Sequence, residues 1–119
     1  MIKFIRASFT IAIIIFAPIA LACEYPERID IPNGSSATKD EMVAGQKDVK
    51  KFMADMEDYI ACLDEEEEQH SADVEEPDSS VDAQRDQMLV KKHNAAVDDM
   101  EKVAAAFNEE VRVYKGRGN

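Results

Sequence analysis

Between Met42 and Leu63 apolar side chains recur at alternating spacings of four and three: Met42, Val49, Met53, Met56, Ile60 and Leu63, with Gln46 holding the one polar place in the series. That period is the seam of a helix packed lengthwise against another, and Phe52 and Tyr59 widen it on one side. A second seam runs through Leu89, His93, Ala96, Met100, Val103 and Phe107 and continues to Val111 and Tyr114. Between the two lies DEEEEQHSADVEEPD, nine acids in fifteen residues with no Lys or Arg. Like charges repel, and the residue ahead of Pro77 avoids the helical region, so the first helix is expected to dissolve there. So short a connection cannot carry the chain back along a helix of ~45 Å, and the two helices must run antiparallel.

The boundaries follow from local chemistry. Thr38 with Glu41 three residues on is a capping box, in which hydroxyl and carboxylate each satisfy a backbone N–H of the first turn. The reading is an all-α hairpin: helix 1 over 38–70, an acidic loop over 71–79, helix 2 over 80–115 and a flexible tail over 116–119. Asp78, Ser79 or Ser80 caps the second helix, Arg112 and Lys115 suit its negative end, and Gly116 and Gly118 stop it. Polar residues inside a seam are most often register devices that hydrogen-bond across the interface, which is the role expected of Gln46 and His93.

Ahead of the first helix, residues 23–37 cannot be regular helix, because Pro26, Pro32 and the Asn33-Gly34 pair break it. Fourteen extended residues reach roughly 46 Å, and the first helix rises about 36 Å from Thr38 to Cys62. The arm can therefore fold back along the helix and bring Cys23 beside Cys62, laying Tyr25, Ile29 and Ile31 in the groove between the helices.

Residues 1–22 set the compartment. Lys3 and Arg6 precede an apolar run, and Ala20-Leu21-Ala22 places small residues where signal peptidase requires them, so a secretory signal over 1–22 is expected, with the mature chain starting at Cys23. Pro18 and the shortness of the unbroken apolar run weigh against a membrane span of about 20 residues. In an oxidising compartment two cysteines favour a disulfide. The alternative is a lipoprotein lipidated on Cys23; lipoprotein signals usually carry Leu three residues before the cysteine, where this chain has Ala20.

The signal holds two of the 14 basic residues and none of the 25 acidic ones, which leaves 12 against 25, a net charge of −13 in place of −11. Such a balance excludes nucleic acid and electrostatic binding to an anionic bilayer. No cofactor, metal or catalytic residue is expected. Glu67-x-x-His70 resembles half of a di-iron bundle motif, but the second helix offers Val90-Lys91-Lys92-His93 in place of the other half. The acidic run lacks the ligand spacing and glycine of an EF-hand, no Ser or Thr is paired with a base, and the cysteines are too far apart for a redox Cys-x-x-Cys.

Three segments, CEYPERIDIPNG, YIACL (59–63) and HNAAVDDMEKVAAAFNEEVRVYK (93–115), resemble a family of small exported proteobacterial proteins with no assigned function. The resemblance implies that these segments belong together and implies no activity. The expected function is a periplasmic, non-enzymatic module acting through a protein partner or self-association. A membrane-anchored lipoprotein is the alternative, a small-ligand carrier the third, and an enzyme is the least supported.

Overall fold

The capping box forms as its spacing predicts and starts the first helix. Glu41 N–H donates to Thr38 Oγ1 at 3.2 Å, and Thr38 N–H donates back to Glu41 Oε2 at 2.6 Å. These bonds, led by the Thr38 backbone amide, hold the Glu41 carboxyl below its ordinary range. The computed structural model describes residues 22–74 and 78–118; the signal expected over 1–22 therefore lies outside the described residues except for Ala22. Helix α1 spans Lys39–Asp73 and helix α2 spans Ser79–Gly116, and the two pack against each other as a hairpin.

Both acidic-loop boundaries shift inward. The first helix does not stop at residue 70 but continues to Asp73, and the second opens at Ser79 with Asp78 as its cap, its Oδ1 accepting from Ser80 N–H at 3.0 Å. The acidic run is met from across the hairpin: Arg85 Nη2 lies 3.2 Å from Glu67 Oε2 and offsets part of its charge repulsion, and the His93 ring is hydrogen-bonded to Asp64, Nε2 to Oδ1, at 3.0 Å. At the far end Gly116 still belongs to the helix, so the expected tail begins one residue later.

The core forms two clusters along the groove. One holds Phe52, Met56, Tyr59, Leu63 and Ala96, with Cys23 and Ile29 of the arm packed on it. The other holds Ala37, Met42 and Phe107, with Ile31 of the arm packed on it. The arm is thus a third rod that closes the open side of the two-helix seam, as its length allows. It turns into α1 at Asn33, whose carbonyl accepts from Ser36 and Ala37 N–H.

Two glycines mark where backbones meet. A Cβ on Gly34 would stand 2.0 Å from the Glu110 carbonyl oxygen, so the turn lies directly on α2 and any larger residue is excluded. A Cβ on Gly45 would stand 2.5 Å from Pro32 Cγ, so this mid-helix glycine admits the arm. The corner is fastened from the other side by Arg117, which donates to the Ala37 carbonyl at 2.8 Å while lying over the Tyr114 ring at 4.8 Å.

Candidate functional site

The YIACL segment occupies the middle of α1, where the 3.6-residue period turns Tyr59 and Leu63 inward and sets Cys62 at the groove edge. Cys23 meets it there: the two cysteines are joined by a disulfide with their Cα atoms 5.7 Å apart, within the usual range. The Cys23 backbone N–H also donates to Glu66 Oε1 at 3.3 Å, one helical turn beyond Cys62.

Two residues on, Tyr25 reaches across the groove. Its ring stands edge-on to Tyr59, with centroids 5.0 Å apart and planes at 73°. Its hydroxyl donates to Asp99 Oδ2 at 2.8 Å and lies 3.3 Å from the Ala95 carbonyl, both on α2. Burial, and then the bond to Asp99, push the Tyr25 phenol up to about 12; burial and the nearby Glu66 charge push the Tyr59 phenol up as well. Neither tyrosine is poised to exchange a proton near neutrality, so the pair braces the arm.

The other expected residues fall as follows. Ile29 and Ile31 pack on the first and second cluster respectively, as the arm reading required. His93 is half-buried, its side chain 31% exposed, and it bonds across the hairpin to Asp64 from the rim of the seam. Gln46 departs from expectation: it is exposed, and Gly45 takes the buried place beside it. The heptad reading assumed one partner helix. With the arm as a second partner, the inward face of α1 rotates toward Gly45, Phe52 and Tyr59, and Phe52 and Tyr59 become core rather than flank.

His70 is half-buried at the acidic end of α1, beside a cavity that Glu67, Asp82 and Asp86 also line. Among the described residues the grouping of metal-capable side chains is Cys23, Cys62 and Glu66, and the two sulfurs there are bonded to each other. Sequence reasoning missed the Gly45–Pro32 and Gly34–Glu110 approaches and the Arg117 clamp. A glycine within a helical pattern is the one signal that pointed to the first, because it weakens a helix unless another backbone needs the space.

Cys23 and Tyr25 of the arm, Tyr59 and Cys62 of α1, and Ala95 and Asp99 of α2 thus meet at one place. Chemically the arrangement is a brace: one covalent bond, one aromatic contact and one hydrogen bond to a carboxylate. Compared with known proteins, the chain matches no family model, no curated protein and no solved structure.

Proposed function

We propose that the protein is an exported, periplasmic helical hairpin that binds another protein or a second copy of itself and turns over no substrate. The observation that carries this reading is the uneven cover of α2. Along its first half Val81, Met88, Val90 and Val97 are 48, 54, 57 and 41% exposed, and α2 buries fully only Ala96 and Phe107 where α1 buries six residues. Valine and methionine side chains left in water on a helix can repack against a partner helix.

Export rests on the signal expected over residues 1–22 and is supported by the disulfide, which persists in oxidising compartments. None of the helices among the described residues is long and apolar enough to cross a membrane. The lipoprotein alternative needs Cys23 Sγ for a thioether, and that sulfur is committed to Cys62.

Crosslinking in the periplasm followed by capture, together with sedimentation of the purified chain, tests the proposal. A self-associated species or one specific partner, lost on Met88→Glu with Val90→Glu, is the expected result. A monomer that captures nothing overturns it.

A further inference from the structure

We propose that the cleft between the arm and α2 binds a short linear aliphatic monocarboxylate. The cleft has a volume of about 180 Å³, and its floor is apolar, built from Ile29 and Ile31 of the arm, Phe52 of α1, and Val103 and Ala106 of α2. Asp99, Lys102, Val103 and Ala106 are three and four residues apart, so one face of α2 supplies that wall. The opposite wall is the extended arm, and a slot between two straight rods suits an unbranched chain.

Charge selects the head group. Arg28 and Lys102 both line the cleft, and among the described residues neither enters an ion pair with a carboxylate, in a chain where acids far outnumber bases. The single carboxylate at the rim, Asp99, is committed to the Tyr25 hydroxyl at 2.8 Å. Four other clefts carry two to four carboxylates each and none of them has more Lys and Arg than carboxylates, whereas this one sets two cations against one carboxylate. Two cations above an apolar floor hold one carboxylate, with the guanidinium as the bidentate partner, while Asp99 disfavours a second negative charge.

Size sets the length. The volume is below the roughly 300–1,000 Å³ of sites for drug-sized ligands, so the occupant is a short chain. This inference goes beyond the partner-binding proposal and does not rest on it, because the cleft residues are distinct from Val81, Met88, Val90 and Val97.

Sodium octanoate and 1-octanol, titrated below their aggregation limits into the oxidised protein, are the probes, and the methyl NMR signals of Ile29, Ile31 and Val103 are the readout. Octanoate should give saturable shifts at these methyls and bind more tightly than octanol. Reversing both cations, Arg28→Glu with Lys102→Glu, should weaken octanoate about tenfold and leave octanol unchanged, the size expected for two exposed charges. Ala106→Phe, which fills the cleft, should abolish both, with helix content and the disulfide checked in every variant. Octanoate shifts that fail to saturate, equal affinity for octanol, or octanoate binding indifferent to the charge reversal would each overturn the proposal.

Discussion

The hydroxyl of Tyr25 donates to Asp99 Oδ2 at 2.8 Å, across 74 residues of sequence, and so ties the start of the arm to the second helix. The same side chain stands on Tyr59 of the first helix. One residue therefore touches all three rods of the fold.

Removing that hydroxyl tests the tie. Tyr25→Phe should keep the ring contact and cost at most about 1 kcal/mol, as one partly exposed hydrogen bond does. The pH dependence has a definite sign. The fold favours the neutral phenol, whose folded value is about 12 against an ordinary value of about 10, so its contribution is complete below pH ~10 and is lost as pH rises toward 12. Phenolate absorbance should show late-titrating tyrosine, and the latest part of it should disappear in the Phe variant while Tyr59 still titrates above its ordinary value. Titration of every tyrosine at the ordinary value would contradict the geometry.

The disulfide closes a loop with a sequence separation of 39, for which the chain-entropy estimate is about 4 kcal/mol. Cys62→Ser should lower the midpoint of thermal unfolding by that measure and raise amide exchange through residues 23–33, while α1 and α2 stay protected. The mature chain should also weigh two hydrogens less than its reduced sequence. An intact mass raised by acyl chains on Cys23 would instead support the lipoprotein.

Neighbouring substitutions on α1 should differ sharply. Gly→Ala inside an exposed helix ordinarily stabilises by up to about 1 kcal/mol. At Gly45 the new methyl would meet Pro32 Cγ at 2.5 Å and Cδ at 2.7 Å, so Gly45→Ala should destabilise by about 1–2 kcal/mol and loosen the arm. Gln46→Ala, at an exposed position, should stay within about 0.5 kcal/mol. Denaturant unfolding of the two variants checks the contrast, and equal stability would remove the arm from the inward face of α1.

His93 and Asp64 bridge the hairpin at its rim, with side chains 31% and 56% exposed. A polar contact so wetted contributes about 0–1 kcal/mol, and a leucine would bury part of its side chain on the seam. His93→Leu should therefore leave thermal stability unchanged or slightly raised. If the bond serves register, the variant's helix alignment or oligomeric state should change, as read by interhelical distance measurements and sedimentation. Loss of a stoichiometric metal on this substitution would assign the histidine a chemical role instead.

Much of this architecture was legible without coordinates because it rests on local rules. Thr38 and Glu41 announce where α1 begins, since a hydroxyl and a carboxylate three residues apart satisfy the first turn whatever lies around it. The α2 seam from Leu89 to Tyr114 is half or fully buried at every expected position, because α2 follows a single helical stripe along its length. Chain length alone allowed Cys23 to reach Cys62.

Side-chain direction on α1 was another matter. A heptad seam is defined for one partner, and α1 has two, so Gln46 turns to solvent while Gly45 receives Pro32 and Phe52 and Tyr59 become core. The acidic run likewise has no internal reason to stay helical through Asp73; its partners Arg85 and His93 lie 18 and 29 residues further along the chain from Glu67 and Asp64. The pattern of residues chose the elements and their order. Contacts between residues distant in sequence, which no local period encodes, chose which faces meet and where each helix ends.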